Sequence, residues 1–233
     1  MDTGSKHAVL KQYFGYDTFR EGQEFLIDTI LSGRDAVGVM PTGAGKSICF
    51  QVPALLMDGI TLVVSPLISL MKDQVGALTQ AGVPAAFINS SLSSVEYREV
   101  LSDIRQGNCK ILYIAPERLL AEGFLNFIRE QDIAMVTVDE AHCVSQWGQD
   151  FRPSYLEIDR FVKSLDSRPI LSAFTATATE QVRRDIVGLL DLRAPEVLVT
   201  GFDRKNLYFE VQKPAKKLDA LLAILADHPN KSG

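Results

Sequence analysis

The stretch Asp35-Ala-Val-Gly-Val39, Met40-Pro-Thr-Gly-Ala-Gly-Lys-Ser47, Ile48-Cys-Phe-Gln-Val52 decides the fold. Asp35–Val39 is short and apolar, as expected of a strand buried on both faces. Lys46–Leu56 reads as a helix. The turn between them carries Gly43 and Gly45, which let the backbone bend until several N–H groups face one anion. The helix opening at Lys46 adds the positive end of its dipole. Thr42, Gly43, Ala44, Gly45, Lys46 and Ser47 are therefore expected to cradle the phosphates of a nucleoside triphosphate. Lys46 is placed on the β- and γ-phosphates and Ser47 on Mg²⁺. The full pattern G-x-x-x-x-G-K-[ST] asks for Gly at position 40, and Met40 stands there instead. A plain glycine turn with an exposed lysine is the bland alternative, and the flanking strand and helix disfavour it.

Outward from this turn the same alternation recurs. Ile60–Val64, Ala85–Ile88, Lys110–Ile114, Ile133–Val138 and Pro169–Ala173 are further apolar runs. Helical patterns lie between them at Arg20–Leu31, Leu67–Gln80, Val95–Arg105 and Glu180–Leu190. Strand and helix in alternation predict a doubly wound α/β domain, a mostly parallel sheet with helices on both faces. Phe202–Val211 reads as a linker and a strand, and Lys216–Ala226 as one more helix. The expected division is therefore one domain over 1–201, with 202–233 leading towards a domain beyond the chain.

Bulk properties exclude more than they select. Of the 233 residues, 46% are hydrophobic and 23% charged, which suits a globular domain. No apolar run approaches the ~20 residues that span a bilayer, and no signal-peptide core is present, so a cytoplasmic protein without a membrane partner is expected. The net charge of −5 argues against a strongly basic nucleic-acid binder and leaves binding along one face open. Cys49, Cys109 and Cys143 are widely spaced with no C-x-x-C, so reduced, partly buried thiols are expected, with no zinc site and no disulfide framework.

A second chemical signal closes the run Ile133–Val138, where Asp139-Glu140-Ala141-His142 follows directly. Carboxylates at the C-terminal end of a buried parallel strand sit where such sheets bind ligands. Asp139 is expected to hold Mg²⁺ and Glu140 to orient and deprotonate the attacking water. His142 is expected to couple this region to neighbouring segments. An acidic helix cap would read the same way in isolation; the phosphate loop upstream makes the catalytic reading the better one.

Asp139-Glu-Ala-His142 resembles the DEAH form of motif II in superfamily 2 helicases. Its continuation, Cys143-Val-Ser-Gln-Trp-Gly-Gln-Asp-Phe-Arg-Pro153, is similar to the aromatic-rich loop of RecQ-family DNA helicases. Leu10–Gln23 resembles the adenine-recognition motif of that family. Ser65–Gln74, Tyr113–Leu119 and Phe174–Ala178 resemble motifs Ia, Ib and III, and Phe202–Asn206 the segment leading to the second motor domain. The resemblance covers nearly the whole chain and identifies it as a first RecA-like motor domain, of bacterial type, with ATP and Mg²⁺ as cofactors. It implies 3′→5′ movement on single-stranded and partial-duplex DNA, unwinding in repair and recombination, and a location at the bacterial nucleoid.

Roles follow residue by residue from the resemblance. Tyr16 is expected to stack on adenine, with Arg20 and Gln23 hydrogen-bonding to it. Trp147, Phe151 and Arg152 are expected to sense single-stranded DNA. Ser69, Lys72 and Arg118 are candidates for the sugar-phosphate backbone, and Thr175 and Thr177 for linking hydrolysis to movement. Each has a plainer alternative: Trp147 as core, Lys72 as a solvated helix residue, Arg118 as a turn cap, the threonines as loop residues. Gln149 stands where many RecQ sequences carry His, and it cannot become a cation. The family's second lobe, with its arginine finger, and its zinc and winged-helix modules are expected to lie outside this chain. A fragment of this kind is expected to hydrolyse ATP very slowly and not to unwind DNA. A DEAD-type RNA remodeller and a nucleotide-binding regulatory module are the rival readings.

Overall fold

The computed structural model describes residues 3–201 and 210–227. Its elements run α1 (Thr3–Phe14), α2 (Gln23–Leu31), β1 (Ala36–Val39), α3 (Lys46–Leu56), β2 (Ile60–Val64), α4 (Ile68–Gln80), β3 (Ala85–Ile88), α5 (Ser94–Arg105), β4 (Ile111–Ile114), α6 (Glu122–Arg129), β5 (Ile133–Val138), α7 (Glu157–Lys163), β6 (Ile170–Thr175), α8 (Glu180–Leu189), β7 (Glu196–Val199) and α9 (Lys217–Asp227). The chain divides into two compact units, Met1–Gly201 and Phe202–Gly233.

In the first unit the strands form one sheet of order β3-β4-β2-β5-β6-β1-β7, and every pair is parallel. Parallel strands need crossovers, and the helices supplying them cover both faces. Alternate residues of one strand then feed two different cores. Val37 and Val39 join the layer under Phe124, Phe161 and Ile186. Ala36 joins the layer of Phe50, Met71 and Phe174. The edge strand β7 was not anticipated from sequence. Its alternating burial lacks the continuous apolar signal of the inner strands. The short helices α6 and α7, and α1, were also missed. The expected helix from Arg20 begins at Gln23, because Gly22 takes φ 80° and a helix cannot run through it.

Strand order converts a scattered sequence into one edge. The segments after β4, β2, β5, β6 and β1 emerge side by side at the C-terminal end of the sheet. Hydrogen bonds stitch their first residues together: Met40 N–H to the Thr175 carbonyl at 3.0 Å, Asp139 N–H to Val64 at 2.9 Å, and Ser65 N–H to Ile114 at 3.1 Å. All three cysteines are fully buried rather than partly so. In the second unit, α9 exposes Leu218, Leu221, Leu222, Ile224 and Leu225. The linker and strand expected over Phe202–Val211 fall mainly on 202–209, outside the described residues.

Candidate nucleotide site and aromatic-rich loop

The phosphate loop connects β1 to α3, with Gly43 at φ 84° and Gly45 at φ 83°. Gly45 is doubly required, since a Cβ there would lie 2.4 Å from Gln23 Nε2. Met40 is accommodated for a simple reason. Its φ is not positive, and its side chain is fully buried with Sδ 3.8 Å from Cys49 Sγ. The position therefore needs no glycine. A cleft of about 500 Å³ opens over the loop, lined among others by Tyr16, Arg20, Lys46, Ser47 and Glu140.

Two side chains expected on the adenine are turned onto the loop. Gln23 is buried; its Oε1 accepts from Arg20 N–H at 2.8 Å, and its Nε2 donates to the carbonyls of Ala44 at 3.2 Å and Gly45 at 3.0 Å. The Arg20 guanidinium donates to the Gly43 carbonyl. Lys46 Nζ donates to the Met40 carbonyl at 3.2 Å. The loop carbonyls thus occupy donors expected to face the ligand: Arg20 and Gln23 the adenine, Lys46 the phosphates. Tyr16 is 52% exposed and free to stack.

Motif residues on β5 and β6 meet beside the loop. Glu140 adopts φ 47°, a left-handed conformation that costs a non-glycine residue ~1–3 kcal/mol. That strain aims its carboxylate at His142, whose Nδ1 lies 3.3 Å from Glu140 Oε2 and 2.9 Å from Thr175 Oγ1. Thr175 gives its one proton to the Thr177 carbonyl at 3.2 Å, so towards His142 it accepts and the imidazole Nδ1 donates. The His142 contact holds the Glu140 carboxyl below the usual range. The Cys143 sulfur against Nε2, and then Glu140, push His142 up to about 9. Burial, and then the Glu140 charge, push Asp139 up to about 6.

Mg²⁺ fits these residues. Asp139 receives a side-chain hydrogen bond only from Glu140 N–H among the bonds described, at 2.9 Å, and burial disfavours its charge. A divalent cation would reverse that. Asp139 and the Ser47 hydroxyl offer the hard oxygen ligands that Mg²⁺ takes.

The loop from Cys143 to Pro153 is pinned at several points, none of the bonds described being made by the Trp147 indole. Ser145, fully buried, donates to Asp185 Oδ2 on α8 at 2.5 Å and accepts from Trp147 N–H at 3.1 Å. Arg152 N–H donates to the Cys143 carbonyl at 2.9 Å, its Nη1 to the Pro66 carbonyl at 2.9 Å, and its Nε and Nη2 to Asp150. Tyr155, also fully buried, donates its hydroxyl to the Asp139 carbonyl at 2.9 Å. A Cβ on Gly148 would meet the His142 carbonyl at 2.2 Å, so only glycine fits that bend. Trp147, by contrast, is 76% exposed, which removes the core alternative for it. Phe151 is half-buried.

The remaining candidates lie along the same edge. Ser69 and Lys72 are exposed on α4, and Lys72 Nζ sits 5.9 Å above the Phe87 ring. Arg118 faces a second cavity of about 570 Å³ with Asn89, Ser93, Tyr97 and Arg98. Thr175 is buried and Thr177 exposed. Tyr97, Arg98, Ser145, Tyr155 and Asp185 were not singled out from sequence. Each acts through a partner more than 15 residues away or through a cavity wall, which no local pattern encodes.

A parallel sheet with a phosphate loop after β1 and an acidic pair after β5 defines a P-loop nucleotide-binding domain. The family profile described as DEAD/DEAH box helicase matches residues 20–185, and the chain belongs to that family. It is 47% identical to the ATP-dependent DNA helicase RecQ of Bacillus subtilis over 90% of this chain and 36% of that protein. It is 42% identical to the RecQ helicase of Pasteurella multocida over 97% of this chain and 35% of that protein. The chain thus spans about a third of the length of these relatives. Among solved structures, the Hef helicase domain of Pyrococcus furiosus superposes with a TM-score of 0.61 at 20% identity, over 83% of this chain and 39% of that one. That likeness concerns the fold. Among the described residues no helix is long and apolar enough to cross a membrane.

Proposed function

We propose that this chain is the ATP-binding motor lobe of a RecQ-like 3′→5′ DNA helicase acting at the bacterial nucleoid. The observation that carries the reading is the aromatic-rich loop. It hangs between Asp185 and Pro66, its Tyr155 anchor bonds the Asp139 carbonyl, and Trp147 stands free in solvent. A base stacking on Trp147 would load the same segment that holds the metal-binding carboxylate.

In this reading Tyr16 stacks on adenine, while Arg20 and Gln23 leave the loop carbonyls when the nucleotide enters. Lys46 leaves the Met40 carbonyl for the phosphates. Ser47 and Asp139 would hold Mg²⁺, which would supply neutralisation of charge developing on the phosphate oxygens. Glu140, kept ionised by His142, accepts a proton from the attacking water. His142 and Thr175 then tie that carboxylate to the loop after β6. Ser69, Lys72 and Arg118 hold the DNA backbone. Residues 1–201 form the first RecA-like domain, and 202–233 lead to a second one that supplies an arginine finger.

The test is ATP hydrolysis and strand separation by the full-length protein. Single-stranded DNA is expected to stimulate hydrolysis, and a 3′ tail to be needed for unwinding. Stronger stimulation by RNA than by DNA would replace this reading with an RNA remodeller. The isolated 233-residue chain is expected to hydrolyse ATP very slowly and not to unwind. Robust DNA-stimulated hydrolysis by it, abolished by Lys46→Ala, would refute that part.

A further inference from the structure

Two polar side chains, buried Tyr113 and half-buried Gln74, converge on one buried amide. Gln51 lies on α3, one helical turn beyond Ser47, and is only 4% exposed. Its Nε2 gives both protons to protein acceptors, Gln74 Oε1 at 3.1 Å and Tyr113 Oη at 3.0 Å. Gln74 lies on α4, on the helix that carries Ser69 and Lys72. Tyr113 lies on β4, buried, where the strand runs into the turn that carries Arg118. One amide therefore joins the helix opened by the phosphate loop to two segments that the sheet brings to its binding edge.

The surroundings make this a choice rather than a default. The layer to which its partner Tyr113 belongs is apolar, built from Phe50, Met71, Ile111 and Met135 among others. An amide placed there costs free energy unless its donors are satisfied, and a Met or Leu would fill the space without that requirement. What the amide adds is direction. Two bonds from one planar nitrogen fix α3, α4 and β4 against one another, and a shift of α3 of about an ångström lengthens at least one of them past bonding distance. The phenol of Tyr113 is also within electrostatic reach of Asp139: burial chiefly, and then that carboxylate, raise its pKa. Gln51 itself does not line the nucleotide cleft.

We propose that Gln51 is a positioning residue: its amide, shared between Gln74 and Tyr113, makes occupancy of the phosphate loop and grip on a nucleic-acid backbone depend on each other. This rests on the proposed reading of α4 and Arg118 as backbone contacts. The coupling runs equally in both directions, as linkage requires. A nucleotide that moves α3 changes the affinity for the strand, and a strand that moves α4 or Arg118 changes the affinity for the nucleotide.

Two variants of the full-length protein test it. Gln51→Met keeps length and volume and removes both donors. Tyr113→Phe removes only the shared hydroxyl. The dissociation constant of a fluorescent oligothymidylate is measured with and without a non-hydrolysable ATP analogue and Mg²⁺, alongside nucleotide binding without DNA and a thermal melt. Both variants are expected to bind nucleotide alone and DNA alone within about twofold of the parent. The factor by which the analogue changes DNA affinity, commonly about 5–150-fold for coupled sites, is expected to fall towards one. A factor preserved in both variants overturns the assignment. So does a parallel loss of melting temperature and of both separate affinities, which marks a purely structural residue. Should Gln51→Met not fold, Tyr113→Phe decides alone. If the parent binds oligothymidylate but the analogue leaves its affinity unchanged, the proposal fails with the parent's DNA contacts intact. A parent that does not bind single-stranded DNA removes the underlying reading as well.

Discussion

The phosphate loop and the aromatic-rich loop lie at the same edge of the sheet and are built on opposite principles. From Met40 to Ser47 the shape is set by backbone, two left-handed glycines and the first turn of α3, with the Lys46 and Ser47 side chains added at its end. From Cys143 to Pro153 the working parts are side chains, each fastened to something distant: Ser145 to Asp185, Arg152 to Pro66, and beyond the loop Tyr155 to Asp139. A backbone cradle recognises a ligand by its own shape. A side-chain lattice reports a ligand by what it is attached to. The first suits phosphate, which is the same in every nucleotide. The second suits a sensor, whose value lies in its connections.

That contrast can be broken most sharply at the chemistry. Glu140→Gln removes the proposed proton acceptor and is expected to lower the ATP turnover of the full-length protein by ~10²–10⁴-fold. A steady-state assay with saturating nucleotide shows it, and turnover within tenfold of the parent would move the base elsewhere. Gly45→Ala tests the backbone principle. It meets both a positive φ of 83° and the Gln23 amide. A loss of ~1–3 kcal/mol in nucleotide binding is expected by titration calorimetry. A normal affinity would mean the loop reshapes freely.

Trp147→Ala probes the side-chain principle at its exposed tip. Since Trp147 is 76% exposed, the melting temperature is expected to hold. Affinity for single-stranded DNA is expected to drop by ~1–3 kcal/mol, the worth of one stacked base. A lower melting temperature with unchanged DNA affinity would return Trp147 to a packing role. Ser145→Ala, one step inward, removes the hydroxyl between Trp147 and Asp185. It is expected to cost ~1–3 kcal/mol of stability, measured by denaturant unfolding, because Asp185 loses its shortest donor. The smallest effect concerns the thiols. Burial pushes Cys49 and Cys109 up to about 12. Neither is expected to react with iodoacetamide at pH 8 while the protein is folded, as mass spectrometry would show.

The two principles also explain which parts of the molecule were legible early. The inner strands announced themselves because burial on both faces demands continuous apolar runs. The phosphate loop did so because positive φ demands glycine. β7 stayed hidden because its burial alternates, unlike that of the other edge strand, β3, whose run Ala85–Ile88 is apolar throughout. The amide of Gln51 stayed hidden too, because it looks like any helix residue until α4 and β4 are folded beside it. Met40 shows the reverse case. A pattern mismatch at the first glycine position disappears once the side chain is seen to point into the core at an ordinary φ.

Sequence by itself determined the alternating α/β class, the phosphate loop with Lys46 and Ser47, the acidic pair Asp139-Glu140, and the family resemblance of the loop that follows. These are local demands, set by backbone geometry, burial period and the chemistry of adjacent residues. Only the tertiary structure decided that Trp147 is exposed, that Arg20 and Gln23 rest on the loop carbonyls, and that Gln51, Gln74 and Tyr113 share one amide. Those facts depend on the strand order β4-β2-β5-β6-β1. It brings together residues far apart in sequence, and their pairing energy exists only after the sheet has closed the distance between them.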